Sequence, residues 1–372
     1  MACLKTLRLA LIAVAALLTG LVGGDTAKPA PIFSAVSAIL ARAGVATAFN
    51  GNNPFAMERL RPLSDWTEFH QPNREGRGID CTAIVKGALA FAGAQVAAKK
   101  RFFISTLPFE PHSPYRYHQG VTEHYFAGPF DPVLGQTIEG EVVDRIAFGK
   151  LPMTPARWDQ MRGNYDGEVE HFDSCFGQIV DGLARLGVRE RTAFVLTGDH
   201  GEGFGEHHHV GHAYGHWFEV IEVPIVIIAP GIGGGAHALD VPASGADIAP
   251  TILDLMGLAP DPRMQGTSLL PQILRPGEWT TRVVASEYGR SYALHSPRYR
   301  YIVDYGGAEL LYDDREDPTE QSPLGERAPD VLGYFRDLAG FHLALRGAWR
   351  GVGWGSIDNH GPAVTGAPTE QR

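Results

Sequence analysis

A chain of 372 residues exceeds the size of one ordinary domain, and its 44% hydrophobic and 20% charged content is that of a packed globular protein, not of a disordered or fibrous one. The formal net charge of -10 excludes a nucleic-acid footprint, which needs clustered Lys and Arg. An anionic substrate must therefore be held locally, by a metal or by a few cations.

At the N-terminus, "MACLKTLRLALIAVAALLTGLVGGD" sets Lys5 and Arg8 before an apolar stretch from Leu9 to about Val22. This has the shape of a signal-peptide n-region and h-region, short for a spanning helix but compatible with an anchor. A second reading takes residues 1–24 as a core helix of an enzyme whose gene start is placed too late. The first reading implies export or membrane anchoring, the second a cytoplasmic protein.

Further along, Ser34 to Ala43 is amphipathic and ends at Gly44, a helix C-cap, with "VATAF" as the strand that follows. "RFFIST" at 101–106 reads as a buried strand. "YDGEVEHFDSCFGQIVDGLARLG" places Tyr165, Val169, Phe172, Phe176, Ile179, Val180, Leu183 and Leu186 at helical spacing and stops at Gly187. It leads into the apolar run Ala193–Leu196, then Asp199 and His200. "VPIVIIAPG" at 223–231 is the next strand and "DIAPTILDLMGL" at 247–258 the next helix. Alternating strands and helices, with strands apolar throughout, predict an α/β fold whose mostly parallel sheet is covered on both faces.

From about residue 283 short strand-like runs appear, "VVASE", "SYALHS", "YRYIVDY" and "AELLYDD", as in a small antiparallel sheet. A helix near 328–346 follows. The organisation is thus an N-terminal segment 1–24, an α/β domain 25–282, a C-terminal subdomain 283–346 and a tail 347–372. Cys3, Cys81 and Cys175 show no metal-ligand spacing and imply no disulfide framework, and Cys175 reads as a small buried side chain.

The chemistry concentrates in "TAFVLTGDHGEGFGEHHHVGHAYGHW" at 192–217. Asp199 and His200 fall at a strand's carboxyl end, where open α/β sheets bind ligands. They offer a divalent cation one hard oxygen and one imidazole, while Gly198, Gly201, Gly203 and Gly205 permit tight turns or close approach. His207, His208 and His209 read as a solvated loop, and Trp217 and Phe218 suggest that His216 is packed. Asp173 reads as a helix-surface carboxylate, and His118 and His171 as structural or exposed.

The stretch "YDGEVEHFDSCFGQIVDGLARLGVRERTAFVLTGDHGE" resembles the helix, strand and Asp-His-Gly block of the sulfatases in the alkaline phosphatase superfamily. Four further stretches resemble that family in the same order: "EPHSPY" at 110–115, "GHAYGHWFEVIEVPIVIIAPG" at 211–231, "DIAPTILDLMGL" with "GTSLLP" at 266–271, and "AELLYDDREDPTEQSPL" at 308–324. The resemblance spans roughly residues 30–345 and implies an alkaline phosphatase-like fold and a hydrolase acting on a small-molecule or glycan sulfate ester. It also implies that Asp199 and His200 hold a divalent metal, usually calcium, with manganese or magnesium in relatives. His112 would then contact the sulfate or protonate the leaving oxygen, and His212 would contact sulfate oxygens. No nucleic-acid partner and no oligomeric state are implied, and a membrane enters only through an N-terminal anchor.

The sequence departs from the family pattern in two places. No Cys-x-Pro-x-Arg is present ("CLKTL" at 3–7 lacks the Pro and the Arg), and no Asp or Glu precedes Asp25 to complete the metal shell. "ALLTGLVGG" at 16–24 nevertheless resembles the segment that follows the nucleophile motif. The expectation is that the first strand, acidic pair and nucleophile are missing and that the chain as written turns over little. Thr19 and Cys3 are the first residues to mutate if it does not. The alternatives are a phosphodiesterase or phosphotransferase of the same superfamily, for which Asp166 and His171 lack the required Asp-x-x-x-His spacing, and a non-catalytic anion-binding paralogue.

Overall fold

A computed structural model describes residues 10–15, 32–51, 66–71, 81–212, 215–232, 238–276, 282–288 and 291–350. In chain order the elements are β1 (Ala10–Ala15), α1 (Ile32–Arg42), β2 (Ala46–Gly51), β3 (Glu68–His70), α2 (Thr82–Ala97), β4 (Phe102–Leu107), α3 (Gly140–Ala147), α4 (Pro155–Arg185), β5 (Thr192–Thr197), β6 (Gly203–Phe204), β7 (Val210–Gly211), α5 (Phe218–Ile221), β8 (Ile225–Ile228), α6 (Ile248–Leu255), α7 (Leu270–Leu274), β9 (Val284–Tyr288), β10 (Ser291–His295), β11 (Tyr299–Val303), β12 (Glu309–Asp313) and α8 (Pro329–Arg350).

One six-stranded sheet has the order β3-β2-β4-β1-β5-β8 and holds all the predicted α/β strands. β2, β3, β4, β1 and β5 run parallel, and β8 pairs antiparallel to β5 at the edge. Because successive side chains point to opposite faces, one apolar run serves two cores. Phe103, Ala193 and Val195 pack with Val36, Ile252 and Leu253 of α1 and α6. Phe102, Ile104 and Phe194 pack with Phe91, Ile179 and Leu183 of α2 and α4. β8 differs, as its outer face is open, with Val226 42% and Ile228 41% exposed. The predicted C-terminal subdomain is a four-stranded antiparallel sheet, β12-β11-β10-β9, against which α8 packs Phe335 and Ala339.

Two expectations are corrected. Residues 10–15, read as part of an h-region or a core helix with the first strand missing from the chain, form a strand hydrogen-bonded between β4 and β5, so an N-terminal strand is present in the sheet. Six apolar residues that include β-branched Ile12 and Val14 satisfy a strand as readily as a helix, and the two parallel partners decide. The rest of that segment and the tail beyond 350 lie outside the described residues, and no helix among the described residues is long and apolar enough to cross a membrane. The second correction concerns the cysteines: Cys81, at the start of α2, is disulfide-bonded to Cys175 on α4 across 94 residues, with Cα atoms 6.1 Å apart.

Candidate active site

The carboxyl ends of β4 and β5 lie on one edge of the sheet, with β1 alone between the two strands. The loop after β4 carries His112, and the loop after β5 carries Asp199, His200, Glu202 and His212. His212 stacks on His200 with ring centroids 3.8 Å apart and meets His112 edge-on at 5.4 Å. Asp199 Oδ2 lies 3.6 Å from His200 Nε2. The four site residues read from the sequence are thus brought together.

Their tautomers follow from their partners. His200 Nδ1–H donates to the Gly201 carbonyl at 2.8 Å, and His112 Nδ1–H to the Ser113 carbonyl at 2.6 Å. This leaves Nε2 of each as the ring atom available for chemistry. His212 Nδ1–H donates to Glu202 Oε1 at 3.1 Å. Burial presses the His212 pKa down, but the Glu202 hydrogen bond and the Glu202 and Asp199 charges outweigh it and raise the pKa above the usual imidazole value. Burial lowers the His112 pKa, with the Ser113 carbonyl opposing and His212 adding to it. The site therefore sets side by side two imidazoles whose pKa values are pushed in opposite directions, the separation that distinct acid and base roles require.

Backbone approach explains part of the glycine content. A Cβ on Gly201 would stand 2.1 Å from the Glu219 carbonyl oxygen, so the loop can lie against α5 only with glycine there. Gly205 has φ +100 and faces the Trp158 ring.

The histidine-rich loop behaves differently from its expectation. His207 is 8% exposed at its side chain, stacks on Trp217 at 4.1 Å, and bonds Glu219 at 2.9 Å and the Glu320 carbonyl at 3.1 Å. It is a structural pin, while His208 is exposed as read. Asp173 is exposed on α4. His118 and His171 stack face to face at 4.1 Å. His216, 2% exposed, bonds Ser286 Oγ at 3.0 Å.

Burial holds the His216 pKa down at about 4, against 6.5 for an exposed imidazole. Between those values the unfolded chain binds a proton that the folded chain refuses, so stability is present at neutral pH and falls as pH drops from 6.5 towards 4. The full shift corresponds to about 3 kcal/mol. In urea titrations across that range, His216→Phe should show a shallower loss of stability on acidification than the parent. Parallel slopes would remove His216 from the account.

Sequence reading missed Glu202, Tyr115 and Tyr165. Glu202 is 5% exposed at its side chain and orients His212. Tyr115 is fully buried, and its pKa is raised by burial and by Glu202, while burial pushes Tyr165 up to about 12. The available signal was the acidic residue three places after Asp199 in a glycine-rich loop.

Asp199 and His200 fit two positions of a divalent-cation shell by donor type, a hard carboxylate oxygen and an imidazole whose Nδ1 is engaged by the Gly201 carbonyl. Calcium takes six to eight oxygens, and among the described residues no third ligand joins this pair, the two three-ligand clusters being Cys81–His171–Cys175 and His207–Glu219–Glu320.

A mostly parallel α/β sheet with Asp199 and His200 at its carboxyl edge and an antiparallel C-terminal sheet is the architecture of the alkaline phosphatase-like fold. The Sulfatase family model matches residues 13–258. The chain belongs to the sulfatase family of the alkaline phosphatase superfamily. It is 30% identical over 215 residues to choline-sulfatase of Rhizobium meliloti (strain 1021), covering 52% of this chain and 40% of that one. It is 33% identical over 209 residues to the multifunctional alkaline phosphatase superfamily protein PehA of Trinickia caryophylli, covering 50% and 40%. The chain therefore matches only about two-fifths of the length of these relatives. Among solved structures, a 2-O GAG sulfatase superposes with TM-score 0.68 at 17% identity, covering 96% of this chain and 97% of that one. The phosphonate monoester hydrolase of Agrobacterium radiobacter gives 0.64 at 18%, covering 91% and 96%. At these identities the likeness is one of fold.

Proposed function

We propose that the site binds a sulfate ester, of a small molecule or a glycan, and belongs to a sulfuric ester hydrolase. The observation that carries this reading is the packing of His112, His200 and His212 beside Asp199 at the carboxyl edge of the sheet. His212, fixed through Nδ1 by Glu202 and with its pKa raised, donates to the sulfate oxygens and is the imidazole placed to supply the proton that the bridging oxygen needs as the bond breaks, while His112 contacts the leaving group. Asp199 and His200 would hold a divalent cation, calcium by the family's habit, which when bound would neutralise the ester's charged oxygens. The choline-, GAG- and aryl-sulfatases among the relatives support a sulfate ester as substrate class.

The sequence contains no Cys-x-Pro-x-Arg, and Cys3 and Thr19 lie outside the described residues. A covalent route needs an activated nucleophile in front of the sulfur. The 372-residue chain should therefore hydrolyse a chromogenic aryl sulfate little or not at all, and fusing a segment with the nucleophile motif and an acidic pair should raise the rate. Robust, calcium-dependent turnover by the chain itself, abolished by Asp199→Ala, would show a nucleophile already present.

A further inference from the structure

Behind the loop that carries His112 lies a second cluster with different chemistry. Cys81 directly precedes α2, and its N–H donates to Oε1 of Glu110 at 3.1 Å. His171 and Cys175 are four residues apart on α4, so they share one face of the helix. Cys81 Sγ, Cys175 Sγ and a ring nitrogen of His171 all lie within 4.8 Å of one another. Both cysteines are 2% exposed. The His118 ring lies flat on His171 at 4.1 Å, with His118 Nε2 3.1 Å from Glu168 Oε2, which fixes the plane of the His171 ring. A small cleft beside the sulfurs is walled by Ile84, Val85, Phe172, Phe176 and Ile179.

We propose that Cys81, Cys175 and His171 form a redox-gated site for a soft divalent cation of the zinc type, closed while the sulfurs are bonded to each other and opened by reduction. Two thiolates and one imidazole suit zinc and leave one of four tetrahedral positions for water. Hard cations such as calcium or magnesium take six or more oxygens, and the side chains lining this cleft offer only the Thr106 hydroxyl. The chemistry balances with a dithiol as reductant. It gives two electrons and two protons to the Cys81–Cys175 bond, which breaks to two thiols, and the reductant leaves as its own cyclic disulfide. Zinc then displaces the two thiol protons to solvent and accepts the lone pair of His171. The tie between α2 and α4 survives in either state, covalent in one and coordinate in the other. This site differs in ligand type and in place from the Asp199–His200 pair.

The test uses the full chain, oxidised or reduced by a dithiol and freed of it without air, and titrated with Co2+ and Zn2+. The reduced chain should bind one Co2+ with a thiolate-to-cobalt charge-transfer band, and Zn2+ should displace it. The oxidised chain should show no such band. Zn2+, but not Mg2+, should raise the urea midpoint of the reduced chain, leaving that of the oxidised chain unmoved. His171→Ala should weaken Co2+ binding by at least about tenfold, while Asp199→Ala should leave the band intact, so that failure here is distinguishable from failure of the ester site. Because a Cys81→Ser/Cys175→Ser chain could fail to fold, the decisive comparison is within the parent. A reduced chain that shows no thiolate–cobalt band, folded or unfolded, overturns the proposal, as does a band indifferent to His171→Ala.

Discussion

Replacing Cys81 and Cys175 together by serine, with no metal added, should lower the unfolding free energy by about 4 kcal/mol. The bond closes a loop of 94 residues in sequence separation, and a loop of that length restricts the unfolded chain strongly. The native state loses little packing, since serine and cysteine are close in size and both positions sit within the cluster built by Phe91, Phe102 and Ile179. The effect should thus appear as a shifted urea midpoint, with the unfolded state less compact and the urea dependence steeper. A loss below about 1 kcal/mol would mean that the staple restrains a denatured state already held together by other contacts.

Arg300→Met should cost a comparable amount, about 3–5 kcal/mol, for the opposite reason, through the native state. The Arg300 side chain is 1% exposed and donates to Glu320 at 2.7 Å, Asp314 at 2.6 Å and Glu222 at 3.0 Å. Glu320 is equally buried and also accepts the Phe218 N–H at 3.0 Å. The cluster fastens α5 to the antiparallel sheet. Without the guanidinium, burial pushes the Glu320 carboxyl further up, since Arg300 is its main opposing influence. A carboxyl whose folded pKa exceeds its unfolded value destabilises at neutral pH and recovers as pH falls through the folded pKa. The deficit of Arg300→Met should therefore shrink on acidification, and Arg300→Met/Glu320→Gln should recover most of it. A pH-independent deficit that the double variant does not repair would place the cost in packing instead.

How much of this was legible depends on how local the cause is. The buried parallel strands announced themselves, because Phe102–Ile104 and Ala193–Val195 must feed cores on both faces and so carry no polar alternation. β8 carries an equally apolar run, yet it is an antiparallel edge whose Val226 and Ile228 stay exposed. Composition alone does not tell an edge from a centre. Residues 10–15 read as an h-region or a core helix because the partners that make them a strand, β4 and β5, lie about 90 and 180 residues away along the chain. The Cys81–Cys175 bond is hidden for the same reason.

Within the candidate site, Asp199 and His200 are read from their place at a strand end and His112 and His212 from the family resemblance, and the fold brings the four together. The state of each imidazole was not legible, since it depends on Glu202, Ser113 and Gly201 oriented by the fold. His207 looked like its neighbours in a histidine run. Only the placement of Trp217 and Glu219 sets it apart as a pin. Glu320 was visible as the last residue of an Asp-Pro-x-Glu stretch, but its buried partner Arg300 carried no signal of its own.

The most direct measurement is equilibrium binding of an unreactive aryl sulfate to the full chain, with and without calcium, in the parent, Asp199→Ala and His212→Ala. A charge-assisted hydrogen bond contributes about 1.5–3 kcal/mol, so His212→Ala should weaken binding roughly 10- to 100-fold. Calcium should tighten binding in the parent and in His212→Ala but have no effect in Asp199→Ala, where the ion has lost its carboxylate. Binding that is indifferent to calcium and to both substitutions would contradict a sulfate-ester site at the carboxyl ends of β4 and β5.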